Sequence, residues 1–319
     1  MKIIFLGSPQ YAVSTLAALN HHHEIVAVIT RHDKPVGRKK TMMETPISRY
    51  ATEQGLTLFK PEKLTDDFVE NLKALNPDIF VIFSYGKILK NNFLQLTPHE
   101  GLNIHPSLLP LYRGPSPVKA ALLNGEVKTG ISIQKVFAKV DTGDIYQKIE
   151  LTINEQDDYN TIMKKVSELA PALIIDTLQK IETNTAKTET QDDNKASYCS
   201  LLKKQNGLIN WQQSGCRIFN KIRALCKWPV AFTFLDNKRL LIYKGKYKES
   251  SQFSDAKNDK SVPGQIILAN KQDGIFIQTG KGVYIPEILQ LETKKITDWK
   301  SFLAGHRDLE GKIFSNNRV

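Results

Sequence analysis

Short, continuous apolar segments alternate with amphipathic ones over the first half of the chain, and this alternation restricts the possible folds more than any other feature. The apolar segments are Ile3–Leu6, Ile25–Thr30, Ile79–Phe83 and Gly101–Ile104, and helical patterns lie near 9–20, 46–54 and 66–75. Strands that are apolar along their whole length are buried on both faces, as in a parallel sheet covered by helices. We therefore predict an α/β domain with a doubly wound, mostly parallel, Rossmann-like sheet.

The pattern changes after a long helix predicted over 159–183, which is followed by the polar stretch TAKTETQDDNKA. Beyond it, short alternating segments are separated by turn signals such as Asp236-Asn237. This texture is typical of a small antiparallel barrel, and we predict an OB-like β-barrel domain. The predicted boundaries are 1–188 for the first domain, 189–206 for a linker and 207–319 for the barrel.

Positive charge is concentrated in the last third of the 319 residues. The formal net charge is +11, and residues 207–319 carry 19 Lys and Arg against 10 Asp and Glu. A basic domain joined to a nearly neutral one indicates a polyanionic partner, with nucleic acid favoured over an anionic membrane surface.

The cysteines and the amino terminus exclude several other classes. Cys199, Cys216 and Cys226 are too widely spaced for a disulfide framework or a CxxC motif, and no metal site is predicted. The apolar run in MKIIFLGSP is too short for a signal peptide or a membrane helix. We expect a cytoplasmic protein.

The loops after the first two predicted strands give weaker signals. Gly7-Ser8-Pro9 ends the first strand, but the next glycine is Gly37, so a dinucleotide-binding fingerprint is missing and a nicotinamide cofactor is disfavoured. The loop 31–49 holds six basic residues against two acidic ones. Such a cationic loop could contact a phosphate backbone, although a solvated loop without a partner explains the charges equally well.

The strongest local signal is Asn103-Ile104-His105-Pro106, at the end of a predicted central strand. Residues two apart on a strand share a face, so the Asn103 amide and the His105 imidazole should point the same way. Buried polar groups are costly unless they are hydrogen-bonded or functional. The pair is typical of an oxyanion-stabilising donor beside a proton-handling group, while a satisfied core histidine with a capping asparagine is the alternative.

A carboxylate is expected to complete this pair. The turn after the predicted strand 130–136 contains Asp141 and Asp144, and either carboxylate could orient the His105 imidazole. An Asx-type turn, in which Asp141 bonds its own backbone, is the structural alternative.

These segments together resemble the folate-dependent formyltransferase superfamily over essentially the whole chain. The resemblance rests on the opening Gly-Ser-Pro and on the segments DKPVGRKK, SYGKIL, NIHPSLLPLYRGPSPV, TGISI, VDTGD and IRALCKWP. It implies a catalytic trio of Asn103, His105 and Asp141. It also implies folate-binding residues in two segments, namely Tyr85, Gly86, Lys87, Ile88 and Leu89 and then Ser107, Leu108, Leu109 and Pro110.

Within this superfamily, the cationic loop and the basic barrel favour the branch that acts on tRNA. The resemblance then implies transfer of the formyl group of 10-formyltetrahydrofolate to the α-amino group of initiator methionyl-tRNA, with no metal. Arg38, Lys39 and Lys40 would contact the tRNA. We expect a monomer with no membrane partner. The alternative is a formyltransferase that acts on a small nucleotide or sugar-nucleotide amine.

Overall fold

The computed structural model describes residues 1–36, 41–249, 261–306 and 308–316. The chain forms two compact units. The first comprises Met1–Pro117, Lys128–Ile153 and Ile162–Ser200, and the second comprises Val118–Val127, Asn154–Thr161 and the chain from Leu201 onward. The boundaries 1–188, 189–206 and 207–319 stay a prediction.

The elements that precede residue 200 alternate strands with helices. The strands are β1 (Lys2–Gly7), β2 (Glu24–Ile29), β3 (Lys34–Val36), β4 (Thr41–Met43), β5 (Leu58–Phe59), β6 (Ile79–Phe83), β7 (Leu102–His105), β8 (Lys128–Lys135) and β9 (Ile145–Thr152). The helices are α1 (Val13–His22), α2 (Pro46–Glu53), α3 (Asp66–Lys73), α4 (Asn91–Leu94), α5 (Pro117–Asn124) and α6 (Tyr159–Glu182).

The main sheet of the first unit is mixed, with the order β5-β2-β1-β6-β7-β8-β9. Strands β5, β2, β1, β6 and β7 pair in parallel, as the apolar segments predict. Residues Ile3–Leu6 of β1 are fully buried, which is the environment that a centrally placed parallel strand requires. The predicted mostly parallel, Rossmann-like sheet is confirmed.

Two strands extend this sheet in the opposite direction. β8 pairs antiparallel with β7, and β9 pairs antiparallel with β8. Strand β9, IYQKIELT, is not among the strands that the sequence predicts. Its side chains are mostly half-buried or exposed, as on an edge strand, so it lacks the continuous apolar signal of the central strands.

The order of the strands reverses between β1 and β6, and ligand-binding crevices of open α/β sheets form outside the carboxyl ends of strands at such a point. Gly7, Phe83 and His105 end the neighbouring parallel strands β1, β6 and β7. The loops that follow these three residues therefore meet at one edge of the sheet.

The second unit contains an antiparallel sheet with the order β10-β11-β14-β13-β12, and β15 pairs with β14. Its elements are α7 (Gly215–Ala224), β10 (Ala231–Leu235), β11 (Lys238–Lys248), β12 (Ile266–Asn270), β13 (Gly274–Gln278), β14 (Val283–Leu291), β15 (Thr297–Asp298) and α8 (Trp299–Ala304).

The segment 312–315 closes this sheet into a barrel. Ser315 exchanges backbone hydrogen bonds with Phe234 of β10, while the amide of Ile266, in β12, donates to Lys312 O at 2.8 Å. Phe314 stacks on Trp211 with ring centroids 5.4 Å apart, and Trp211 Nε1 donates to Thr233 Oγ1 at 3.0 Å. The predicted small barrel is confirmed.

We expect Phe314→Ala to lower the free energy of unfolding of this unit by about 3–5 kcal/mol, because Phe314 is 6% exposed and its removal leaves a cavity beside Trp211. The neighbouring Ile313 is 54% exposed, so Ile313→Ala should change the free energy of unfolding by less than about 0.5 kcal/mol. Guanidinium unfolding followed by tryptophan fluorescence measures both variants. Equal losses in the two variants would show that the stack does not stabilise the barrel.

Candidate active site

The register of β7 and β8 gathers four polar side chains on one face of the sheet. Asn103 lies opposite Gln134, and His105 lies opposite Ser132. Directly opposed residues of an antiparallel pair share a face. His105 is 4% exposed and Gln134 is 1% exposed, so both need hydrogen-bond partners inside the protein.

The Asp141 carboxylate is the acceptor at which these side chains meet. Asn103 Nδ2 and Gln134 Nε2 donate to its Oδ1 at 3.1 and 2.8 Å, and the Gly114 amide donates to its Oδ2 at 2.8 Å. Three N–H donors from separate segments hold this carboxylate in one orientation. The structure thus brings Asn103 and Asp141 into contact.

His105 lies beside the same carboxylate. Its Nδ1 is 3.6 Å from Asp141 Oδ1, and its Nε2 is 3.0 Å from the carbonyl oxygen of Tyr112. Because a carbonyl oxygen only accepts, His105 Nε2 must carry the hydrogen of this bond. The three predicted residues therefore lie together at one edge of the sheet, and their catalytic roles stay a prediction.

The second carboxylate of the turn faces other partners. Thr190 Oγ1 donates to Asp144 Oδ1 at 3.0 Å, and Lys135 Nζ is 3.9 Å from Asp144 Oδ2. Of the two carboxylates that the sequence leaves open, Asp141 is the one beside His105.

Two glycines allow the loops of the site to approach each other. A Cβ at Gly114, whose φ is +119°, would lie 2.2 Å from the Cys199 carbonyl oxygen, and a Cβ at Gly143 would lie 1.9 Å from that of Lys135. Both distances are far below van der Waals contact. Glycine at these positions therefore lets the 114 amide reach Asp141 and lets the turn close against β8.

The predicted folate-binding turn 85–89 follows β6 and divides into inner and outer residues. Tyr85 is buried, its hydroxyl has no hydrogen-bond partner in the described part of the chain, and burial raises the pKa of this phenol to about 12. Leu89 packs against the core, whereas Gly86 and Ile88 are exposed. Lys87 Nζ donates to the carbonyl oxygens of Pro61 and Glu62.

The second predicted folate-binding segment, 107–110, follows β7. Ser107 and Leu109 are buried, while Leu108 and Pro110 are half-buried. Ser107 Oγ donates to Leu111 O at 2.6 Å, and Ser132 Oγ donates to Ser107 O at 2.7 Å, so hydrogen bonds fix the start of this segment on β8.

The predicted tRNA-contacting residues Arg38, Lys39 and Lys40 lie outside the described residues. The described strands on either side of them, β3 and β4, pair antiparallel, with Lys34 opposite Met43. In the residues that the structure describes, no group of three or more His, Cys, Asp or Glu could hold a metal ion. The helices within the same ranges include none long and apolar enough to cross a membrane.

Comparisons with known proteins extend over both units. Residues 1–178 match the formyl transferase family, and residues 201–307 match the formyl transferase C-terminal domain. A methionyl-tRNA formyltransferase of Borrelia hermsii is 37% identical over 315 residues, covering 99% of this chain and all of the relative. This chain belongs to the formyl transferase family. A methionyl-tRNA formyltransferase of Carboxydothermus hydrogenoformans is also 37% identical, covering 98% of this chain and 99% of the relative.

Solved structures of formyl transferases share the fold at lower identity. An N-formyltransferase of Helicobacter canadensis, in complex with folinic acid and dTDP-3-aminofucose, superposes with a TM-score of 0.64 at 20% identity, covering 90% of this chain and 98% of the other. A methionyl-tRNA formyltransferase of Clostridium thermocellum superposes with a TM-score of 0.56 at 19% identity, covering 78% of this chain and 94% of the other.

Two glutamines of this candidate site are absent from the sequence-based prediction. Gln134 donates to Asp141, and Gln191 Nε2 lies within 3.3 Å of Gln134 Oε1. Gln134 alternates with Ser132 in the otherwise apolar strand GISIQK, a signal that could have identified it. Gln191 lies in the predicted linker, where no local pattern distinguishes it from a solvated polar residue.

Cys199 offers a test of the charge at this site. Burial raises the pKa of the Cys199 thiol, and the nearby negative charge of Asp141 raises it further. We expect iodoacetamide at pH 8 to alkylate Cys199 more slowly than free cysteine, because less thiolate is present. Asp141→Asn should lower this pKa and speed the reaction. Peptide mass spectrometry measures the rate, with Cys226 as the internal control; an unchanged rate at Cys199 would contradict the proximity of the two groups.

Proposed function

We propose that this chain transfers the formyl group of 10-formyltetrahydrofolate to the α-amino group of initiator methionyl-tRNA. The observation that carries the proposal is the meeting of Asn103, His105 and Asp141 at the carboxyl edge of the sheet in a chain whose full-length relatives are named methionyl-tRNA formyltransferases. We also propose a cytoplasmic monomer, with no membrane partner. The likeness to sugar-acting enzymes is at 20% identity and supports the fold alone.

In this reaction the amine nitrogen forms a bond to the formyl carbon, and the bond between that carbon and the folate nitrogen breaks. Negative charge develops on the formyl oxygen. Asn103 donates one Nδ2 hydrogen to Asp141 and has a second for this oxygen. Removal of one such donor typically costs about 3–4 kcal/mol of transition-state stabilisation.

His105 supplies the second donor in the proposed mechanism. Its Nε2–H is held by Tyr112 O, and its Nδ1 lies 3.6 Å from Asp141 Oδ1, which is too far for a hydrogen bond to occupy that nitrogen. A hydrogen on Nδ1 is therefore available to bond the formyl oxygen.

Asp141 has an electrostatic role and a proton-transfer role in this proposal. Its carboxylate lies beside His105 Nδ1, and it can order a water that carries the proton from the amine to the departing folate nitrogen. The folate supplies the formyl group, while the protein supplies orientation and charge. We propose that residues 85–89 and 107–110 bind the pterin, with the exposed Ile88 and the half-buried Leu108 and Pro110 as apolar contacts.

The second unit suits a polyanionic substrate. Its strand β11 exposes Lys238, Lys244 and Lys246, and residues 207–319 carry most of the net positive charge. We propose that this basic barrel and the residues Arg38, Lys39 and Lys40 bind the tRNA backbone, where lysine and arginine neutralise phosphates.

Asp141→Asn should lower kcat by about 10²–10³-fold, because the carboxylate beside His105 is removed while the shape of the side chain is kept. The folate KM should change far less. The measurement is formyl transfer from labelled 10-formyltetrahydrofolate to charged initiator tRNA, with charged elongator tRNA as the comparison. An unchanged kcat would eliminate the role of Asp141. If the protein without any substitution formylates neither tRNA, the proposed function is overturned.

Arg38→Ala should raise the KM for tRNA about tenfold, as expected when one charged hydrogen bond to phosphate is lost, and should leave the folate KM unchanged. The dependence of tRNA affinity on salt should weaken as well. Lys164→Ala, which removes the same charge from the exposed surface of α6, is the matched control. Identical tRNA kinetics in the two variants would show that the loop does not contact tRNA.

A further inference from the structure

The backbone of Asp141 adopts a conformation that needs support. Its φ is +55°, in the left-handed region that non-glycine residues seldom adopt. Within the turn, Thr142 Oγ1 donates to Lys139 O, and the Lys135 amide donates to Asp144 O. These contacts lie on either side of the Asp141 carbonyl and leave it to another donor.

The Gln191 carboxamide is that donor. Its Nε2 donates to Asp141 O at 3.0 Å and to Gly143 O at 2.7 Å, and it lies 3.3 Å from Gln134 Oε1. Gln191 is 9% exposed, although it comes fifty positions after Asp141 in a stretch that reads as a polar linker. One buried amide group thus bonds the backbone carbonyls of both Asp141 and Gly143, two residues apart in the turn.

Arg113 determines which way this amide points. Arg113 Nε donates to Gln191 Oε1 at 3.0 Å, and a guanidinium has no acceptor. The atom that faces Arg113 must therefore be the oxygen, so the NH₂ group faces the turn. Arg113 is 1% exposed and is itself held by Asp193 Oδ1, 2.7 Å from its Nη1.

The Asp141 carboxylate sets the orientation of Gln134. Because a carboxylate only accepts, the Gln134 NH₂ group faces Asp141, where Nε2 donates to Oδ1 at 2.8 Å, and its Oε1 lies 3.3 Å from Gln191 Nε2. Each amide in this chain of contacts has one orientation that satisfies its neighbours. Gln191 therefore acts on Asp141 through the backbone of the turn, and it lies next to the amide that donates to the carboxylate.

We propose that Gln191 is a positioning residue that holds the Asp141 carboxylate beside His105. The expected effect on kcat rests on the proposed formyl transfer, whereas the positioning itself is argued from the contacts of Gln191. Gln191 itself touches neither nitrogen of His105, and its effect on the reaction passes through Asp141.

The test is a double-mutant cycle on formyl transfer with Gln191→Ala, Asp141→Asn and the combined variant. Gln191→Ala should lower kcat about 10–100-fold, as misplacement of a catalytic group does, with little change in folate KM. The combined variant should be no slower than Asp141→Asn alone within about threefold, because both changes disable the same carboxylate. Losses that multiply in the combined variant would overturn the proposal.

Gln147→Ala is the matched control, because Gln147 Nε2 also bonds a backbone carbonyl and a side chain, Leu173 O and Thr177 Oγ1, in the same unit. It should reduce stability without lowering kcat. If Gln191→Ala fails to fold, Gln191→Glu keeps the shape, removes both donors and carries the same expectations.

A readout that needs no activity separates this inference from the proposed function. The Gly114 amide donates to Asp141 Oδ2, so its hydrogen exchange reports whether the carboxylate is in place. Exchange at Gly114 should be at least about tenfold faster in the Gln191 variants than in the unmodified protein and unchanged in Gln147→Ala. Unchanged exchange in the Gln191 variants would refute positioning, even if formyl transfer proves to be absent.

Discussion

A buried carboxylate must be surrounded by donors, and the candidate site of this protein is organised around that requirement. Asp141 accepts N–H groups from a strand, from the neighbouring antiparallel strand and from a loop backbone. A buried charge without such partners would cost several kcal/mol. The donors must therefore converge wherever the carboxylate lies, and their convergence places His105 beside it.

The antiparallel strand β8 has a consequence that a wholly parallel sheet would not have. Its register against β7 sets Gln134 opposite Asn103, so both amides reach one carboxylate oxygen. The neighbouring pair, His105 and Ser132, carries the support further, since Ser132 bonds the segment that follows His105. The change of strand direction at this edge thus supplies a second row of polar side chains to the crevice.

The two units divide the physical tasks of the proposed reaction. In the first unit, the polar side chains around Asp141 are hydrogen-bonded to one another, which fixes the direction of each N–H group. The second unit exposes lysines along β11 and carries the excess charge, which suits a large, hydrated polyanion. Hydrogen-bond geometry acts over a few ångströms, while screened charge acts over about 10 Å, so a small-molecule donor and a tRNA place different demands on the protein.

The sequence pattern alone predicted the parallel strands, the barrel and the shared face of Asn103 and His105. These features could be predicted because apolar periodicity and strand alternation are patterns of residues close together in the chain. Strand β9 was missed because an edge strand buries little apolar surface. The contacts of Asp141 with its three donors, the orientation of Gln134 and the burial of Gln191 were decided only by the tertiary structure. Each depends on which oxygen faces which donor across long sequence separations, and a hydrogen bond leaves no periodic signal in the chain.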